Sequence, residues 1–193
     1  MVLQPRPEVM DFLLTRRSRP AKTLTGPGPD RAALEPILTA AARSPDHGKL
    51  EPWRFIVLEG AALQRLAALT ARRGAERGEM PEKLEKAVAS FADAPLVVAV
   101  VARPQPSDKI PVIEQHLSAG AVCLALVNAA LASGWGANWL SGWMAQDEAW
   151  LHEGLGLEAG DMVAGFVHIG RETMPPPERP RPDLDAITRW VDT

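Results

Sequence analysis

With 193 residues, 46% of them apolar and 23% charged, the chain has the balance of one globular domain long enough to bury a sizeable core. A formal net charge of -3 gives no broad basic field and argues against nucleic acid as a partner. A single cysteine, Cys123, excludes an internal disulfide framework and cysteine-held iron–sulfur clusters, and it fits a reducing cytoplasm.

The first residues lack an apolar stretch ahead of Glu8, so no signal peptide is expected. Val9, Phe12 and Leu13 have helical spacing and predict a short helix over Glu8–Thr15. It runs into Arg16-Arg-Ser-Arg-Pro20, where guanidinium groups suit either a helix C-terminus or a phosphate. Lys22–Pro29 reads as a Gly/Pro-rich loop, after which Asp30 caps a helix whose apolar face is Leu34, Ile37, Leu38 and Ala41. That helix delivers Ala42–Phe55, a connection in which Pro45 and Pro52 bracket Arg43, Asp46, His47, Lys49 and Arg54. Element interiors tolerate neither proline nor such mixed charge well, whereas helix-to-strand connections do and often carry chemistry. His47 has no second histidine at metal-site spacing, and His116, His152 and His168 stand singly, so no metal site is expected.

Phe55–Glu59 predicts a buried strand ended by Gly60, and Leu63, Leu66 and Leu69 predict a helix over Ala61–Arg73. Gly74–Glu79 reads as a mobile polar excursion on the surface, and Pro81 opens the next helix, with Leu84, Val88 and Phe91 facing the core. The β-branched run Leu96–Ala102 predicts a central strand covered on both sides. Val112–Ser133 is the longest helical pattern, apolar on nearly every side from Ala119 to Ala132. Glu114, Gln115, His116 and Asn128 interrupt it too often for an ordinary membrane span, so it should be central to a core and a subunit interface, with Cys123 as a buried structural thiol.

Gly134–Trp143 places three tryptophans among three glycines, a flat aromatic segment able either to lie against a planar ligand or to close a core. Asp147 caps a helix that ends at Gly154-Leu-Gly156, and Met162–Ile169 predicts a strand closed by Gly170, with Arg171 at its exit. Pro175–Pro182 is too proline-rich for helix or inner strand, while Leu184, Ile187 and Trp190 suggest that the tail docks on its own subunit or a partner. Neither a dinucleotide-binding Gly-x-Gly-x-x-Gly, a Walker loop nor a Gly-x-Ser-x-Gly elbow occurs. An arginine-rich phosphate site, a charged loop and an aromatic glycine-rich wall remain, a set that could hold a phosphorylated planar cofactor.

In their order and spacing, Arg16-Arg17-Ser18, Ala42–His47 running into Pro52–Phe55, Glu114-Gln115 with Ser118-Ala119-Gly120, Asn138–Gly142, and Gly165-Phe166 before Ile169-Gly170 resemble the nitroreductase superfamily of flavin mononucleotide (FMN) enzymes, most closely its compact bacterial branch of NAD(P)H nitroreductases. The resemblance implies an α+β three-layer sandwich with a mixed, largely antiparallel sheet flanked by helices, and a homodimer built around a long central helix. It implies that Arg16, Arg17 and Ser18 hold the flavin phosphate and ribityl chain, that Arg43 and His47 reach the cofactor from the second subunit, and that Trp139, Leu140 and Ser141 lie near the flavin in the first. Arg171 would add a further cation. Two departures stand out: Leu140 occupies a position where the compact branch commonly has arginine, and Pro20 one where larger members have lysine. The resemblance implies no protein catalytic residue, since the flavin carries the redox chemistry. The implied activity is electron transfer from NADH or NADPH through FMN to an electron-poor acceptor such as a nitroaromatic or quinone. A flavin carrier of low turnover and an interaction dimer that has lost its cofactor are the competing readings.

Overall fold

The computed structural model describes residues 2–193. Five strands, β1 (Leu24–Thr25), β2 (Trp53–Leu58), β3 (Val97–Ala102), β4 (Gly136–Leu140) and β5 (Met162–Glu172), form one sheet ordered β1-β5-β3-β2, with β4 also paired to β5. All four described pairings are antiparallel. The helices are α1 (Pro7–Thr15), α2 (Arg31–Ala41), α3 (Ala61–Glu76), α4 (Pro81–Ala92), α5 (Val112–Ala132), α6 (Glu148–Leu155) and α7 (Leu184–Ile187).

Alternation along β3 creates the layers. Val97, Ala99 and Val101 face one core with Leu63, Leu66, Phe91, Trp150 and Phe166, covered by α3, α4 and α6. Val98 and Val100 face a second core with Leu34, Ile37, Val122, Leu126 and Val167, covered by α2 and α5. Every residue of β3 is buried, as its unbroken apolar run requires for a strand covered on both sides. In the first core Phe91, Trp150 and Phe166 pack with ring centroids 5.3–5.8 Å apart, and the Trp150 indole N–H is satisfied by Thr70 Oγ1 at 3.0 Å.

Side-chain caps start three helices, with Asp30 accepting from Ala33 N–H, Asp147 from Trp150 N–H and Asp183 from Asp185 N–H. Asp147 also receives Arg73 and Arg77. Burial alone would raise its carboxyl, but the Trp150 N–H and the two guanidiniums hold it below the usual carboxylate range.

Three expectations are corrected. Gly74–Glu76 belongs to α3 rather than to a surface excursion, because Gly74 is buried where a Cβ would meet Leu84. The supposed loop Lys22–Pro29 contains β1, and β5 runs on to Glu172 to pair with it. Of the two places expected for the apolar residues of the tail, the chain's own surface is not the one: Leu184, Ile187 and Trp190 are exposed, Trp190 at 89%.

Helix α5 is long and apolar enough to cross a membrane, but it buries Val122, Cys123, Leu126, Val127 and Ala130 in the second core, as a core helix does. Burial raises the Cys123 thiol to about 12, so it is an inert apolar group here.

Candidate functional site

The segment after α1 turns extended at Arg16 and runs onto β4, where Arg19 N–H donates to Ala137 O at 2.9 Å. Arg16 Nη2 donates to Ser18 Oγ at 2.8 Å, while Arg19 is neutralised by Glu172 at 2.7 Å. Among the described residues neither Arg16 nor Arg17 makes a direct ion pair, although the charge of Arg17 is felt at the Glu178 carboxylate, and the Nε of each is buried without a hydrogen-bond acceptor. Burial lowers the pKa of Arg16 first, and the neighbouring charges of Arg181, Arg17 and Arg19 lower it further. Each orphaned donor costs roughly 1–3 kcal/mol. A bound phosphate would remove both penalties, because its oxygens accept several guanidinium bonds and cancel the crowded charge. The cradle therefore fits the phosphate of a mononucleotide cofactor.

From the cradle β4 leads along its edge to Trp139, Leu140 and Ser141. Trp139 Nε1 donates to Ala164 O at 3.2 Å, and its ring lies where a Cβ at Gly165 would sit. Gly120 of α5 faces the far edge of the same indole. The two glycines thus hold Trp139 between α5 and β5, and it stays 39% exposed. Beyond it, Leu140 and Ser141 border a cleft of about 270 Å³ between α4 and the β4–β5 region. Its floor includes His168 and its α4 wall Lys83, Lys86 and Ser90, none of which the sequence reading singled out. The readable signal was the spacing of Lys83, Lys86, Ala87 and Ser90 on one helical face. A lone histidine in a strand gave no such signal.

The charged connection lies elsewhere. His47 Nδ1 sits 2.8 Å from Glu114 Oε2 in the first turn of α5, with both side chains largely exposed. Ser118 Oγ–H donates to Pro45 O at 2.8 Å, and Trp53 Nε1 donates to Ser118 Oγ at 3.2 Å, so the loop is fastened to α5. Asp46 accepts Glu51 N–H and holds a turn in which Lys49 and Glu51 adopt φ of 55° and 47°, uncommon for residues with a Cβ. Arg43 is exposed, and neither a side-chain hydrogen bond nor an ion pair holds its guanidinium among the described residues.

No hydrogen bond or ion pair joins the cradle to this loop among the described residues: Arg19 is joined to Ala137 on β4, whereas His47 is joined to Glu114 in the first turn of α5. Arg171 does not join the cradle either. It is exposed, and as the strand neighbour of Glu172 it points to the face opposite the Arg19–Glu172 pair.

Residues 13–171 match the family model described as the Nitroreductase family. A Haemophilus influenzae protein named "Putative NAD(P)H nitroreductase" is 41% identical over 164 residues, covering 84% of this chain and 88% of that one. Among solved structures, a nitroreductase-like family protein from Bacillus cereus has a TM-score of 0.79 at 22% identity, covering all of both chains. A nitroreductase with bound FMN from Bacteroides fragilis has a TM-score of 0.73 at 19% identity, covering 96% of this chain and 99% of that one.

Proposed function

The chain belongs to the nitroreductase family, and from that premise we propose that it is an FMN-dependent oxidoreductase passing electrons from NADH or NADPH to an electron-poor acceptor such as a nitroaromatic or quinone. The observation that carries the cofactor assignment is the pair of buried, unpartnered guanidinium nitrogens on Arg16 and Arg17 beside Ser18. Folded cations in this state are held ready for an anion, and a mononucleotide phosphate supplies one. When bound, the flavin supplies hydride acceptance from the nicotinamide and electron delivery to the acceptor.

The chain's own residues then divide the remaining work. Arg16, Arg17 and Ser18 bind the phosphate end. The β4 edge at Trp139, Leu140 and Ser141 orients the ring system, its backbone serving at Leu140 where a side-chain charge is lacking. Trp139, fixed by Ala164 O and backed by Gly120, gives a rigid aromatic surface that restricts water at the site. Arg43 and His47 serve the cofactor of a second copy, since among the described residues no hydrogen bond or ion pair joins them to their own chain's cradle. Ile113, Leu117 and Leu124 leave α5 with an exposed apolar face, and α1 buries none of its residues, so both can be covered by that copy.

The test is the absorption spectrum of the purified protein with added FMN, followed by anaerobic titration with NADH and NADPH. A flavin spectrum retained through desalting and bleached by a reduced nicotinamide is the expected result. A protein that stays colourless after FMN is added overturns the proposal, and flavin that binds without bleaching assigns the chain to cofactor carriage.

A further inference from the structure

We propose that the cleft between α4 and the β4–β5 region is a subsite for a planar ring bearing carboxylate or carbonyl oxygens, with His168 donating at its floor and Lys83 and Lys86 at its rim. The binding assignment stands on the cleft itself. Its connection to electron transfer rests on the FMN-dependent function proposed above.

His168 is the decisive group. Its residue is only 2% exposed, it lines the cleft, and its ring makes no hydrogen bond among the described residues. A neutral imidazole carries one N–H donor and one acceptor, and with no protein partner both are left to solvent or to a ligand in the cleft. Strand register explains its direction. His168 lies opposite Asn138 and, like Phe166, faces the first core, while Val167 and Ile169 between and beyond them enter the second. Burial holds the imidazole pKa at about 4, so the ring is neutral near pH 7 and is a hydrogen-bonding group rather than a charge.

The rest of the lining selects the partner. Phe166, Trp143, Met144 and Leu140 give apolar walls against which a flat ring can lie. Lys83 and Lys86 take part in no ion pair among the described residues, although Glu82 and Glu85 are their chain neighbours. Two free ammonium groups and an imidazole N–H form a donor-rich surface, which favours oxygen acceptors and disfavours cations. A volume of about 270 Å³ lies below the range usual for drug-sized ligands and suits a ring of modest size, not an entire flavin. Ser141, at the mouth, stands four residues beyond Ala137 at the arginine cradle, about 13 Å along an extended chain.

One ligand chemistry has two sources in such a place: the dioxopyrimidine end of the cofactor, or a separate aromatic acid that receives its electrons. Benzoate is the probe. Calorimetric titration is carried out on flavin-free protein, with its fold checked by circular dichroism, and again after saturation with FMN. Benzoate is expected to bind the flavin-free protein, and K83M/K86M is expected to weaken it by about tenfold or more. His168→Phe should abolish binding, while His168→Gln, which keeps a donor, should retain most of it. Benzoate bound equally with and without FMN assigns the subsite to the electron acceptor. Benzoate displaced competitively by FMN assigns it to the cofactor ring. No binding to folded, flavin-free protein overturns the proposal, as does binding indifferent to all three changes. FMN uptake is scored separately by quenching of flavin fluorescence, so a protein that takes flavin but not benzoate refutes the subsite alone. One that takes benzoate but not flavin refutes only the FMN function.

Discussion

His168 should make the stability of the protein fall between neutral and mildly acidic pH. In the native state burial lowers its pKa from 6.5 to about 4, whereas the unfolded chain returns it to solvent. The unfolded state therefore binds the proton first. The contribution of the neutral imidazole is complete above pH 6.5, declines as pH falls through the interval, and is gone below about pH 4. At about 1.4 kcal/mol per unit, the full loss approaches about 3 kcal/mol, and about 2 kcal/mol is lost by about pH 5. That is a substantial part of the stability of a domain, typically 5–15 kcal/mol in order of magnitude. Urea unfolding of the flavin-free protein, followed by tryptophan fluorescence at about pH 7.5 and about pH 5, measures it. His168→Gln provides the reference, because the other titrating groups are common to both proteins and cancel. Wild type should lose about 2 kcal/mol more than the variant between the two pH values. Equal losses would refute the assignment of a buried, neutral histidine.

Replacing Arg16 with alanine should weaken FMN retention by roughly 10- to 100-fold, the worth of a charge-assisted phosphate contact, as measured by flavin fluorescence during dilution. Unchanged retention would remove the cradle from the site. Leu117→Asp, on the exposed face of α5, should leave the chain folded but monomeric by sedimentation velocity, and should reduce flavin retention in parallel. A monomeric variant that binds FMN like wild type contradicts a shared site. Thr70→Val removes the acceptor of the Trp150 indole N–H in the first core and should cost roughly 1–3 kcal/mol in urea unfolding, with little effect on flavin binding.

Much of the fold was legible because apolar pattern and burial coincide. The run Leu96–Ala102 became β3, and the long apolar pattern became α5, because neither could have been left in water at tolerable cost. The opposite error occurred at Gly74–Glu76. Glycine with polar neighbours looked like a surface excursion, but the missing Cβ is what lets Leu84 close on α3, and only the neighbouring helix reveals that use. The two-residue strand β1 had no period to read. At the site, the spacing of Arg16-Arg17-Ser18 and the resemblance it supports pointed to a cradle, but the orphaned Nε atoms appear only once the side chains are packed. Lys83 and Lys86 were not singled out, because two lysines among glutamates on a helix carry no signal of their own. His168 was one histidine in a strand, and its chemical interest comes from what it fails to touch.

The division of the site along α5 also limits how this enzyme could be altered. A helix cannot be shortened by half without destroying the second core, since Val122, Leu126 and Ala130 fill it from successive turns. The loop that carries His47 is tied to the first turns of α5 through Glu114 and Ser118, and its place is therefore fixed by the helix that stabilises the monomer. If the cradle and this loop serve one cofactor from different copies, the apolar side of α5 lies at the contact between them. Residues such as Leu117 then act twice: they lower the free energy of association, and they carry Arg43 and His47 to the cradle of the other copy. Flavin retention should consequently depend on protein concentration, falling on dilution through the dimer's dissociation range even when FMN is in excess of its affinity for the assembled site. Retention independent of protein concentration through that range would confine the cofactor to Arg16–Ser18 and the β4 edge of a single chain, leaving His47 and Glu114 as a surface hydrogen-bonded pair with no part in binding.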